Sequence, residues 1–193
     1  MDKSENKRVV LTKQLLRSAL LEMLKEVPIR DVSIRELCNR AGINRTTFYN
    51  HYASQYILFD DICQQFLNAI SKRLKDVKAE DVELVHKRVS AVLEYFEENR
   101  ECSVLLLNNN SESSFAERIF DLPEIGDLLD ETLADFKDQR KKEAVRSFTI
   151  FGSRRLLQEW IKQDEHISPE EEAALILEIG RQVCADSQGA EET

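Results

Sequence analysis

Apolar residues return along this chain at the three-and-four spacing that gives an α-helix one buried face, and no stretch alternates apolar and polar residues long enough for a strand. From about Thr12 to Glu26, Leu15, Leu16, Ala19, Leu20, Met23 and Leu24 form such a face, with Lys13 and Arg17 four apart on another. Pro28 ends that segment. Ser33 and Glu36 have the spacing of a capping box, which predicts a short helix over Ile34 to about Arg40. Gly42 can take the positive φ of a tight turn between helices, and Asn44 caps a third helix from Arg45 to about Tyr52. Helix, glycine-containing turn and helix in this order make a helix-turn-helix, whose second helix enters the major groove of DNA. Phe48 and Tyr52, four apart, face inward with Ile43 and leave Arg45, Thr46, Thr47, Tyr49, Asn50 and His51 around the remaining surface.

Six further segments carry the same period, for about nine helices in all. Ser54 caps one that reaches about Lys75, another covers Glu80 to about Arg100, and a short one spans Cys102–Leu107 before Asn108, Asn109 and Asn110 break the pattern. Ser114 and Glu117 offer a second capping box for a helix from Phe115 to about Phe136, kinked or interrupted near Pro123 and Gly126. Lys142 to Lys162 places Val145, Phe148, Gly152, Leu156 and Trp160 along one side, and Ser168-Pro169-Glu170-Glu171 opens a last helix striped with Ile176, Ile179, Gly180 and Val183. Glycine inside a helix costs about 1 kcal/mol relative to alanine, and a close helix crossing compensates. These two stripes are therefore read as a subunit interface, the alternative being that both are satisfied within one chain. The expected architecture is all-α: an N-terminal three-helix helix-turn-helix domain over residues 1–53 and a larger C-terminal helical domain over 54–193 that binds a ligand and dimerises.

At roughly 150 residues per domain, the 193 residues make one or two small domains. With 42% apolar and 33% charged residues the chain can pack a core. No apolar run approaches the roughly 18 residues of a membrane span, and the charged start lacks a secretory h-region, so a cytoplasmic protein without membrane association is expected. Cys38, Cys63, Cys102 and Cys184 have no C-x-x-C spacing and read as reduced, mostly buried thiols rather than disulfides or a metal site. The charge is uneven. Residues 1–55 carry ten Lys or Arg against six Asp or Glu, net +4, and residues 56–193 carry seventeen against thirty, net −13. A basic head on an acidic body is expected where one part meets phosphate and the rest is kept off it. With no G-x-S-x-G, no phosphate-cradling glycine loop and no H-E-x-x-H, neither an enzyme nor a cofactor is implied, and carboxylate pairs such as Glu97 and Glu98 read as solvated helix faces.

Val32 to Cys38, then Ala41 to Tyr52 with its T-F-Y-x-H-Y core, then Ser54, together resemble the N-terminal DNA-binding domain of the TetR/AcrR family of bacterial transcriptional regulators over roughly residues 8 to 60. The resemblance implies an all-helical homodimer whose paired recognition helices contact a palindromic operator on double-stranded DNA. It also implies a larger C-terminal domain that commonly binds a small molecule, so the chain reads as a repressor released by an effector, with activation left open. Many relatives carry Lys just after the position of Ser54; here it is Gln55, which removes one expected phosphate contact. Farther along, the likeness rests on Gly152, Trp160 and the Ser168-Pro169-Glu170 start of the last helix.

Roles follow from side-chain chemistry. The Arg45 guanidinium can fork onto guanine O6 and N7 or hold a phosphate. Thr46 and Thr47 can meet a thymine methyl or a phosphate, and Asn50 can read adenine. The Tyr49 phenol can reach a phosphate, where the family places a backbone-contacting Tyr. His51 suits a phosphate contact or intradomain packing better than a metal, since no second ligand sits at the required spacing. Ser33 and the amides at its helix N-terminus can hold an anion, in a positive field from Lys7, Arg8, Lys13 and Arg17. For the acidic body, a ligand cavity is expected among the middle helices, lined from Phe66, Val92, Phe96, Leu105, Phe115, Phe120 and Phe148, although apolar residues at helical spacing equally make ordinary core. The alternative is an exposed apolar patch on which a protein partner docks.

Overall fold

The apolar period places the helices in order along the chain, and several of their ends differ from it. The computed structural model describes residues 3–76, 82–108, 115–134 and 136–189, and among these residues it has ten α-helices and no strand. The chain divides into two compact units between Phe66 and Leu67, inside the fourth helix.

The first unit holds α1 (Lys3–Leu24), one 3₁₀ turn (Ile29–Asp31), α2 (Ile34–Ala41), α3 (Arg45–Tyr49) and the first half of α4 (Gln55–Asp76). Helix α1 begins well before Thr12, where the apolar period starts, and Val10, Leu11 and Leu15 on it are exposed. Its buried face is Leu16, Ala19, Leu20, Met23 and Leu24. Ser33 caps α2 by accepting from the Glu36 amide at 3.5 Å, but the reciprocal half of the expected box is not made: the Glu36 carboxylate accepts from Arg40 Nε at 3.1 Å. Gly42 ends α2 at φ 65°, the left-handed conformation its position in the turn requires. Asn44 Oδ1 accepts from the Thr47 amide at 2.7 Å and caps α3. Regular helix ends at Tyr49, short of Tyr52, and a turn follows in which both His51 and Tyr52 amides donate to Phe48 O at 2.9 Å. Ser54 Oγ accepts from the Ile57 amide at 3.4 Å and starts α4.

The second unit takes the rest of α4 with α5 (Val82–Glu98), α6 (Arg100–Asn108), α7 (Phe115–Phe120), α8 (Pro123–Thr132), α9 (Gln139–Lys162) and α10 (Pro169–Gly189). The segment from Phe115 onward is two helices, not one bent helix, which brings the number to ten. Pro123 occupies the first position of α8, where a missing N–H costs nothing, and α7 stops at Phe120. Of the second expected capping box, Ser114 lies outside the described residues. Helix α9 begins ahead of Lys142 because Asp138 Oδ1 accepts from the amides of Arg140 at 2.8 Å and Lys141 at 3.2 Å. At α10 the capping box is complete: Ser168 Oγ accepts from the Glu171 amide at 3.2 Å, and Glu171 Oε2 accepts from the Ser168 amide at 2.9 Å. Helix α10 packs along α5 and α9. Phe96, Leu106, Phe115, Leu133 and Ile161 are almost wholly buried among these helices. Of the four thiols, Cys38 and Cys63 are buried, and burial pushes the half-buried Cys102 up to about 11, which keeps it an unreactive thiol.

Candidate nucleic-acid interface and internal cavity

The polar surface of α3 exists because two aromatic residues hold its other side down. Phe48 is fully buried and Tyr52 nearly so, their ring centroids 6.0 Å apart. Arg45, Thr46, Tyr49 and Asn50 are exposed, while Thr47 and His51 are half-buried. Tyr49 packs edge-on against Phe48 at 5.3 Å and still leaves half its surface to solvent, so the phenol is oriented and accessible. Asn44 spends its side-chain oxygen on the cap of α3. Ser33 is exposed at the start of α2 with its hydroxyl likewise in the cap. Lys7 and Arg8 are exposed on α1. Arg35, exposed in the first turn of α2 two residues from Ser33, adds a cation that the sequence pattern did not single out.

Lys13 and Arg17 have partners. The Lys13 ammonium sits 5.6 Å from the Tyr52 ring centroid. Arg17 forks onto Asp61 Oδ2 through Nη2 at 2.7 Å and Nε at 3.0 Å, and the Tyr52 hydroxyl donates to the same oxygen at 2.6 Å. This clamp ties α1 and the turn after α3 to α4, so Arg17 serves the fold rather than the positive field assigned to it. Burial pushes the Asp61 carboxyl up, but hydrogen bonds from Tyr52 and Arg17 and the charges of Arg17 and Lys13 outweigh it and hold the group below its usual 3.8. Burial and the bond to Asp61 raise Tyr52, which therefore stays a neutral donor. A second fork closes the corner between α1 and α2: Arg40 reaches both Glu26 oxygens, at 2.7 and 2.8 Å.

In the second unit, the end of α4 together with α5, α7, α8, α9 and α10 lines a cavity of about 700 Å³ that is open on one side. Of the residues named from the sequence, Val92 and Phe120 are on its wall. The other expected lining residues lie elsewhere: Phe96 and Phe115 are closed core, Phe66 is buried in the first unit, Leu105 on α6 is half-buried off the cavity wall, and Phe148 is 61% exposed. Val85, Val89, Leu128 and Ile150 take their place in the wall, with Thr149 and Ser153 as neighbouring polar positions on α9.

The expected interface stripe divides in the same way. Val145 and Trp160 are buried within this chain, and Trp160 Nε1 donates to Ile167 O at 2.8 Å with its ring against His166. Ile176 and Gly180 line the cavity, and Leu156 and Val183 are half-buried. Phe148 and Ile179 are exposed, as are Phe151 at 62% and Leu175, which the stripe omitted. A Cβ added at Gly152 would meet nothing beyond its own helix within 4 Å among the described residues, so no close crossing there requires glycine.

Comparison with known proteins agrees with this geometry. The family described as "Transcriptional regulator C-terminal region" matches residues 84–182, just over half of the chain, and that described as "Bacterial regulatory proteins, tetR family" matches residues 16–62. A curated relative from Bacillus subtilis, the uncharacterized HTH-type transcriptional regulator YerO, is 27% identical over 84 residues, which are 40% of this chain and 29% of YerO. The chain thus spans under a third of that relative's length. A TetR transcriptional regulator from Streptococcus agalactiae superposes with TM-score 0.71 at 20% identity, covering 92% of this chain and 97% of that one. A tetR-family regulator from Streptomyces coelicolor gives 0.70 at 16% identity, covering 100% and 86%. At these identities the likeness is one of fold. Among the described residues no helix is long and apolar enough to cross a membrane.

Proposed function

The chain belongs to the TetR family of bacterial transcriptional regulators, DNA-binding helix-turn-helix proteins and not enzymes, and from that premise we propose that it is a homodimeric, cytoplasmic repressor that leaves a palindromic operator when a small molecule fills the cavity of its second unit. The observation that carries the DNA half is the outward polar face of α3, with Arg45 and Tyr49 exposed above a buried Phe48. In this reading Arg45 reads a base, Thr46, Thr47 and Asn50 contact bases or phosphates, and Tyr49, His51, Ser33, Asn44, Lys7, Arg8 and Lys13 position the unit on the backbone. Phosphate contacts of this kind make affinity fall with salt. Two copies whose recognition helices lie one helical turn of DNA apart read a palindrome. The effector half rests on the cavity, whose size suits a small organic molecule. A ligand changes DNA binding only by favouring one arrangement of the dimer over another.

Selection of bound sequences from random duplex DNA, at stated salt, tests the first half. Enrichment of an inverted repeat is expected, and a pool with no palindrome removes the reading. A second reading, in which the body docks a protein partner, draws on exposed Phe148 and Phe151. We assign that surface to the second copy of the chain, because it lies on the α9 stripe that also carries Gly152.

A further inference from the structure

Acids on a helical surface are ordinarily solvated, and Glu172 departs from that rule. It stands in the first turn of α10 and is 4% exposed, the only buried acid among the described residues. Its neighbour Glu171 completes the helix cap by accepting from the Ser168 amide at 2.9 Å. The Glu172 carboxylate accepts no hydrogen bond among the described residues, and the one charge that favours it is that of His166. That ring is already engaged, 3.0 Å from Glu97 Oε2 and 3.0 Å from Gln163 O. Burial therefore pushes the Glu172 carboxyl up, and His166 pulls it back only in part.

The carboxylate is nonetheless within reach. The partnerless oxygens shut off from solvent are those of Ser90, Glu124 and Thr149; Glu172 instead lines an open groove of about 710 Å³. The end of α9, the turn after it and the start of α10 form this groove. Glu159, Asp164 and Glu165 line it as well, all exposed, and no Lys or Arg does. The nearby cations are spent elsewhere: Arg155 on Glu159 at 3.0 Å, and Arg100 on Glu97 at 3.3 Å and on Gln163 O. Leu156, Trp160 and Leu175 give the same groove an apolar side.

A buried carboxylate without a partner, in a field of its own sign, is stabilised by a cation that carries N–H donors. We propose that this groove binds an organic cation, an ammonium group on a small apolar body, which donates to the Glu172 carboxylate and lays its apolar part against Trp160, Leu156 and Leu175. A metal ion fits less well, since no group of three His, Cys, Asp or Glu among the described residues could hold one. The site is separate from the effector cavity, with which it shares no lining residue, and does not depend on the effector reading.

Trp160 is the single tryptophan and lines this groove but not the cavity, so its emission is the readout for the full chain. Hexylamine, hexanol and hexanoate are the probes, and hexylamine is expected to change the emission at the lowest concentration. Glu172→Gln, nearly the same shape, is expected to raise the hexylamine midpoint about tenfold, the ratio conferred by a hydrogen bond to a charged group, and to leave hexanol unchanged. Glu165→Gln, which alters an exposed acid, should have a smaller effect. If Glu172→Gln loses helical content, the order of the three probes on the wild type decides the matter. Hexanol or hexanoate acting ahead of hexylamine, no response to hexylamine, or a Glu172→Gln change equal for amine and alcohol would each overturn the proposal. Leu175 also lies on the surface assigned above to the second copy. A hexylamine response found in the Phe148→Glu variant and absent in the wild type would give the groove to that copy, and would overturn the proposal too.

Discussion

The most consequential side chain in the first unit is Asp61, on which Arg17 and the Tyr52 hydroxyl converge. It was invisible in the sequence because its partners lie 44 and 9 positions away and no local period links them. Tyr52→Phe removes one hydrogen bond to a charged acceptor and should cost about 1.5–3 kcal/mol. Asp61→Asn leaves a half-buried guanidinium without its counter-charge and should cost at least as much. The pH dependence follows from the carboxyl being held below 3.8 in the folded unit. Its stabilisation is complete above the unfolded value, and is lost as pH falls through the folded one. Acid titration of helicity should therefore show wild type losing stability below about pH 4 more steeply than Asp61→Asn; identical acid limbs would show that the clamp contributes nothing. Arg45 makes the complementary case, since residue type and position on α3 are what single it out for the proposed base contact. Arg45→Ala should relax base preference at one position per half-site by about 1–3 kcal/mol, measured as operator against mutated-operator affinity at fixed salt; unchanged discrimination would reassign Arg45 to phosphate.

Among the helices, the boundaries that could be read were those written in local chemistry. Ser33, Asn44, Ser54 and Ser168 cap where their spacing put them, because an N-cap is decided within three residues of itself. The split between α7 and α8 was half legible: Pro123 announced a disturbance, but only packing determines whether the chain bends or restarts. The cavity was the least legible part. Val92 on its wall and Phe96 in the closed core share one helical face, one turn apart, and nothing in their spacing tells a lining side chain from a filling one. Gly42 offers a sharp test at this scale. Its φ of 65° is left-handed, yet an added Cβ would meet no atom within 4 Å, so the cost of alanine there is purely conformational, about 1–2 kcal/mol. Gly42→Asn should cost less, since asparagine tolerates that region. Urea unfolding that ranks the two variants in the opposite order would mean that the turn is held by contacts rather than by backbone freedom.

For the molecule as a whole, the proposed dimer asks the distribution of charge and of exposed apolar surface to serve one assembly. The acidic body discourages contact with phosphate, and the basic first unit carries the field that favours it. Two such first units bind a palindrome only if the second units hold them together. The side chains available for that task on α9 and α10 are Phe148, Phe151, Leu175 and Ile179, which lie exposed in one chain although each is large and apolar. Trp160, the one tryptophan, is buried and bonded to Ile167, so its fluorescence reports the fold of the second unit. Phe148→Glu should therefore convert a dimer into a monomer in sedimentation while leaving the Trp160 emission and the helical content of each chain intact. A monomer grips one half-site alone, so operator affinity should fall by more than tenfold, because binding at the first half-site no longer delivers a tethered copy to the second. A variant that remains dimeric, or a wild type that sediments as a monomer at concentrations where it binds DNA, would place the pairing surface elsewhere and return Phe148 and Phe151 to the protein-partner reading.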